Sequence, residues 1–178
     1  MKEFKVDVTS LADIVEQISA GDKVLLSGVV YTARDAAHKK LIELLDSGKT
    51  LPINLKNAVI YYAGPTPTPK NLPIGSCGPT TSSRMDSYSP RLISLGVKGI
   101  IGKGQIGESV CRAICENKAV YLCAIGGAGA LAASAITSSE VVAFNELGCE
   151  SIKKLELKNF PLFCGVDCKG GNLFKNKY

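Results

Sequence analysis

The chain has 178 residues, 46% of them hydrophobic and 21% charged, with a formal net charge of +5, which suits one hydrophobic core and a single domain over residues 1–178. No apolar run reaches the roughly 18 residues of a membrane span, and the opening MKEFKVDVTS lacks the apolar stretch of a signal peptide, so a cytoplasmic protein is expected. Lysines are scattered (Lys39, Lys40, Lys153, Lys154, Lys169, Lys175) rather than striped with aromatics, which argues against nucleic acid and leaves a small acidic ligand open.

Elements alternate along the chain. Thr9 and Ser10 precede LADIVEQISA, whose Leu11, Ile14, Val15 and Ile18 fall at helical spacing, with Gly21 as the stop. KVLLSGVVYTA is β-branched and strand-like. RDAAHKKLIELLDSG follows as an amphipathic helix, with Thr32 and Asp35 spaced like a capping box and Gly48 closing it. NAVIYYAG is a further strand, leading into PTPTPKNLP, a loop too stiff for a helix. Ser89-Pro90 opens a short helix that ends at Gly96, VKGIIG is a buried strand, and ESVCRAICENK is a helix behind it. AVYLCAI, the Gly/Ala-rich GGAGALAASA and VVAFNE complete an α/β pattern with no internal repeat and no linker.

Seven cysteines are an odd number, and without a signal peptide they read as reduced thiols. Cys111/Cys115 and Cys164/Cys168 have three intervening residues, and the chain contains a single histidine. No metal site is therefore expected within it.

Three features invite a functional reading. Gly102-Lys103-Gly104-Gln105-Ile106-Gly107 matches G-x-G-x-x-G between a strand and a helix. About 20 residues on, however, the acidic group that would meet a ribose is replaced by Ile125-Gly126-Gly127. What remains is a loop of free N–H groups at a helix N-terminus, with Lys103 in it, suited to an anion. His38 lies one helical turn beyond Arg34 with Asp35 in reach, which makes it a supporting group rather than a catalyst.

The third is GPTTSSRMD, Gly78 to Asp86. It reads equally as a surface loop handing over to a capped helix and as a cluster of hydroxyls around a guanidinium, with Thr80 and Arg84 four residues apart. Arg34, Arg84 and Lys103 would then place three cations at strand-to-helix junctions, where α/β folds collect ligands. Such a set matches a small substrate with more than one carboxylate.

GDKVLLSGVVYTARDAAHKK, LKNAVIYYAGP, GPTTSSRMDSY, LGVKGIIGKG, GGAGALAA and FNELGCESI resemble, in the same order, the sequence blocks of the β subunit of two-subunit class I iron–sulfur fumarate hydratases and of the related L-tartrate dehydratases. The likeness runs from Gly21 to about Asp167. It implies a swivelling β/β/α domain rather than a doubly wound sheet. It also implies a hydro-lyase that interconverts fumarate and L-malate within a hetero-oligomer, and a partner α subunit holding a 4Fe-4S cluster that this chain does not ligate.

The resemblance further implies that Arg34, Arg84 and Lys103 bind substrate carboxylates and that Thr80 is the base at C3. Asp35, His38, Thr81 and Asp86 are then supporting groups, with Asp86 or a partner residue activating Thr80. Ser83 stands where many members have glycine or alanine. Tartrate in place of fumarate, a nicotinamide-binding protein and a non-catalytic assembly subunit are the other readings these residues leave open.

Overall fold

The computed structural model describes residues 1–175. Seven strands, β1 (Glu3–Asp7), β2 (Lys23–Thr32), β3 (Val59–Tyr61), β4 (Gly99–Gly102), β5 (Val120–Cys123), β6 (Ile136–Ala143) and β7 (Ile152–Val166), form one mixed sheet. Its order is β1-β2-β3-β4-β5-β7-β6, and a further antiparallel pairing of β2 with β7 joins β2, β3, β4, β5 and β7 into a closed ring. β2 through β5 run parallel; β7 returns antiparallel to both β2 and β5.

Closure needs bending, and the β2–β7 ladder supplies it. The register shifts between Leu26 and Gly28, where Gly28 takes φ +101°. Opposite it, Asn159 also has positive φ and donates its N–H to Ser27 Oγ. An irregularity on both strands re-aims the ladder as a bulge does.

Period-2 alternation then divides the apolar residues between two cores. Val59 and Tyr61 of β3, Ile101 of β4, and Val120 and Leu122 of β5 face the ring interior with Val24, Leu26, Val30, Leu155, Leu157 and Leu162. Ile60, Ile100 and Tyr121 point outward, against α2 (Asp35–Asp46), α3 (Ser89–Ser94) and α4 (Glu108–Glu116), through Leu41, Leu92, Val110 and Ile114. Strands covered on both faces read as unbroken apolar runs.

Several expectations need correction. LADIVEQISA is a single α-turn, α1 (Leu11–Ile14), flanked by 3-10 turns (Val8–Ser10 and Val15–Gln17), because the chain must bend to pack Leu11, Val15 and Ile18 under the ring. No capping box forms at α2. Thr32 is buried; its hydroxyl donates to Ser151 O and accepts from Lys153 N–H. Ser89 does not cap α3 either, since its hydroxyl donates to Met85 O. The Gly/Ala segment contains a short helix, α5 (Gly129–Ser134). β1 and the 15-residue β7 have no counterpart among the predicted strands.

Candidate functional site

The parallel strands β2, β3 and β4 end on the same side of the sheet, where open α/β sheets place ligands. Arg34 leaves β2 as the N-cap of α2 in extended conformation. The long connection after β3 returns by pairing Ala63 with Pro79, and Thr80 N–H donates to Tyr62 O at 2.7 Å. A 3-10 turn, Ser82–Met85, then carries Arg84. Lys103 follows β4; Thr81 bridges it in parallel, and Ser82 N–H donates to its carbonyl at 3.0 Å.

Side-chain contacts join four of the predicted residues. Arg34 Nε donates to Asp35 Oδ2 at 3.2 Å. Arg84 reaches the other oxygen, Oδ1, with Nε and Nη2, each at 2.9 Å. Arg84 Nη1 donates to Thr80 Oγ1 at 3.5 Å, a long contact. The two guanidinium groups thus flank one carboxylate, and the second of them reaches the threonine. Partial burial works to raise the Asp35 pKa, but its own backbone N–H and the Arg34 and Arg84 guanidinium groups outweigh it and hold the carboxyl below its ordinary value.

Lys103 joins no ion pair among the described residues. The set of three cations therefore needs qualification: Asp35 and Glu150, whose Oε1 lies 3.4 Å from Arg34 Nε, balance the two arginines, and Lys103 alone keeps a free charge. Glu150 is not singled out by the sequence, and it sits in a turn where periodicity gives no signal.

His38 is fully buried and stands behind Arg34, with Nδ1 3.1 Å from the Arg34 carbonyl. A carbonyl only accepts, so Nδ1 carries the proton and Nε2 is the bare acceptor, buried without a partner among the described residues. Its ring packs between Tyr62 and Tyr88. Burial pushes its pKa down to about 4, against smaller opposing effects of the Arg34 carbonyl and Asp35. It is a neutral core residue that holds the backbone of Arg34.

Asp86 makes no hydrogen bond to Thr80 among the described residues and accepts from Gly107 N–H at 2.9 Å. The chain's own carboxylate thus takes one N–H of the glycine-rich loop, that of Gly107, the N-cap of α4. Burial raises the Asp86 pKa against the pull of that N–H. The glycines serve the same docking: a Cβ on Gly102 would lie 2.0 Å from Ser82 Oγ, and one on Gly107 would lie 2.7 Å from Asp86 Oδ2. They admit the segment from Ser82 to Asp86 rather than a pyrophosphate.

Ser82 is a second residue that the sequence did not single out. Tyr121 O–H donates to Gly104 O at 2.8 Å, so the 2.9 Å contact between Ser82 Oγ and Tyr121 Oη takes its proton from the serine. This buried chain ties the threonine-bearing turn to the lysine-bearing loop.

The site lies open: Thr81 and Arg84 are exposed, while Arg34, Asp35, Thr80 and Lys103 are half-buried. A separate hollow of ≈ 300 Å³ lies elsewhere, lined by residues including Cys111, Arg112, Cys115 and Asn172. All seven cysteines are free thiols. Among the described residues no three His, Cys, Asp or Glu side chains gather into a set able to hold a metal ion, and no helix is long and apolar enough to cross a membrane.

The model of the fumarase C-terminus family matches residues 1–177. The chain is 44% identical, over 96% of its length, to the anaerobic class I fumarate hydratase of Escherichia coli K12, covering 32% of that protein. It is 39% identical to fumarate hydratase 2 of Leishmania major, over 97% of the chain and 31% of the relative. A putative L(+)-tartrate dehydratase subunit beta of Methanocaldococcus jannaschii is 38% identical, over 90% of the chain and 86% of the relative. The chain thus spans 32% and 31% of the two fumarate hydratases.

Proposed function

With the chain belonging to the fumarase C-terminus family, we propose that it is the β part of an iron–sulfur hydro-lyase that reversibly hydrates fumarate to L-malate in the cytoplasm. In this reading the ring of strands is the swivelling β/β/α domain of that family. The observation that carries the proposal is the contact chain from Arg34 through Asp35 and Arg84 to Thr80.

Dehydrating a 2-hydroxy diacid means removing a weakly acidic proton from C3 and expelling a poor leaving group from C2. Cations beside the C3 carboxylate stabilise the negative charge that builds up as the proton leaves. Arg84 and Lys103 suit that task, and Arg34 suits the distal carboxylate, since a guanidinium fork matches a carboxylate in a bidentate manner.

Thr80 Oγ is the group we assign to the C3 proton. An unassisted hydroxyl is too weak a base. Arg84 Nη1 is the charged donor beside it, and a donor there favours the deprotonated oxygen. Asp86, bound to Gly107 N–H, is not in that position.

Assistance to the leaving hydroxyl is a task for a Lewis acid. Among the described residues no three His, Cys, Asp or Glu side chains gather to hold one; in this reading the 4Fe-4S cluster sits on a partner α subunit, and no step is derived through it. The open face around Arg84 and Thr81 is consistent with a second polypeptide completing the walls.

L-Tartrate is a second reading, favoured by the coverage of 86% of the tartrate dehydratase subunit. Reconstitution with the cluster-bearing partner and assay on fumarate, L-malate and L-tartrate tests both. Arg84→Met is expected to lower kcat/KM by about 10²-fold, the worth of a charge-assisted hydrogen bond in a site. Unchanged kinetics in that variant would leave an assembly subunit as the better description.

A further inference from the structure

We infer that Glu150 is a positioning residue for Arg34, fixing which edge of that guanidinium is offered to a ligand. The inference rests on the dicarboxylate reading above and names a residue which that reading does not contain.

The geometry begins at the start of α2. With Thr32 engaged elsewhere, the Ala36 N–H would be one of the unsatisfied donors of the first turn. Glu150 Oε2 accepts from it at 2.8 Å across 114 residues of sequence. The other oxygen, Oε1, lies 3.4 Å from Arg34 Nε. One carboxylate therefore serves two neighbouring groups: the helix that carries the arginine as its cap and the arginine's own Nε edge.

Asp35 Oδ2 shares that edge at 3.2 Å. On the adjacent side stands Gly64, which has no side chain. A Cβ built on Gly64 would stand 3.0 Å from Arg34 Cδ and 3.2 Å from Nη1. Among the described residues Arg34 Nη1 and Nη2 have no hydrogen-bond acceptor, so the paired N–H edge that matches a carboxylate is the one left without a partner.

The mount for Glu150 is stiff. It closes the turn Asn145–Glu150, entered through Phe144 at φ 54°, a left-handed conformation that a bulky residue holds only where surroundings enforce it. Ser151 Oγ donates to Gly148 O at 2.7 Å and Lys153 Nζ to the same carbonyl at 3.0 Å. Thr32 Oγ1 donates to Ser151 O at 3.2 Å. The hydroxyl that forms no cap of its own thus secures the turn that provides one.

The test uses the reconstituted complex with Glu150→Ala, Glu150→Gln and Arg34→Met, together with hydrogen exchange at the Ala36 amide in the full chain. Glu150→Ala is expected to raise KM for the diacid about tenfold while kcat stays within about threefold, as for loss of a supporting group. Ala36 exchange should quicken in the same variant. Glu150→Gln, whose amide oxygen still accepts from Ala36 N–H, is expected to restore Ala36 protection and part of KM. A normal KM in Glu150→Ala, with Ala36 unprotected and Arg34→Met impaired, would make Glu150 a helix cap only and overturn the inference. A normal KM in Arg34→Met would instead sink the dicarboxylate reading, and the inference with it.

Discussion

Helices α2 and α4 each begin behind a candidate substrate cation, Arg34 and Lys103, and each takes a carboxylate from another part of the chain onto an early N–H. At α2 that carboxylate, Glu150, also touches the cation. At α4, Asp86 satisfies Gly107 N–H and stops there. One end of the site is consequently neutralised and held in place, while the other keeps a positive charge that no internal partner cancels. Capping and ligand binding draw on the same donors, and the chain spends its own acids on the caps so that the cations can face outward.

The largest effect is expected at the residue between the two ends. Thr80→Ala should lower kcat of the complex by roughly 10²- to 10⁴-fold, the usual worth of a general base, with assembly and Tm unchanged. Ordinary turnover in that variant would remove Thr80 from the chemistry.

Behind the α2 end, His38 makes the comparison depend on pH. Its native pKa of about 4 lies below the ordinary value near 6.5, so the unfolded chain binds the proton more readily in between. Stability is complete above that ordinary value and falls as pH drops through the window, by roughly 3 kcal/mol in all. Chemical denaturation from pH 7 to pH 4 measures this, and His38→Gln should flatten the slope. An unaltered slope would contradict the burial assignment.

A smaller effect separates the cations. Lys103→Met should raise KM about tenfold and leave Tm alone, because no ion pair is lost. A Tm drop would show that Lys103 is bound internally after all.

The least effect is expected at the α4 cap. Asp86 has a raised pKa, so its native carboxyl holds the proton more tightly than the unfolded one. Its contribution is most favourable below the ordinary carboxylate range and is lost as pH rises through the raised value. Asp86→Asn keeps an oxygen for Gly107 N–H, and Tm at pH 7 should stay level or rise slightly. Glu150→Ala should lose about 1 kcal/mol, a typical cap. Reversal of that order would break the contrast between the two ends.

These residues differ in how far the sequence exposed them. Arg34, Thr80, Arg84 and Lys103 were legible because they lie at junctions between periodic segments, where an arginine or a hydroxyl cluster is conspicuous. Strands β3 to β5 were legible for a related reason: both their faces are buried, so Val59, Ile60 and Tyr61 form one apolar run. Ring closure was not legible. β7 mixes lysines and glutamate among its apolar positions and includes Asn159 and Pro161, which read as breaks, and its partners are remote in sequence. Glu150 escaped for the same reason. Thr32 and Asp35 have the spacing of a capping box, yet local spacing cannot register that Glu150 arrives from across the fold and frees Thr32 for another bond.

The closure by β7 has a consequence during synthesis. β7 is translated after every strand it joins, and Glu150 lies two residues before its start. A nascent chain on the ribosome therefore holds Arg34, Arg84 and Thr80 before it holds what seats the first of them. Long-range pairing of this kind is slow to form. The freshly made polypeptide should pass through an interval in which Arg34 lacks the carboxylate that seats it, and that interval ends only once translation has passed this strand.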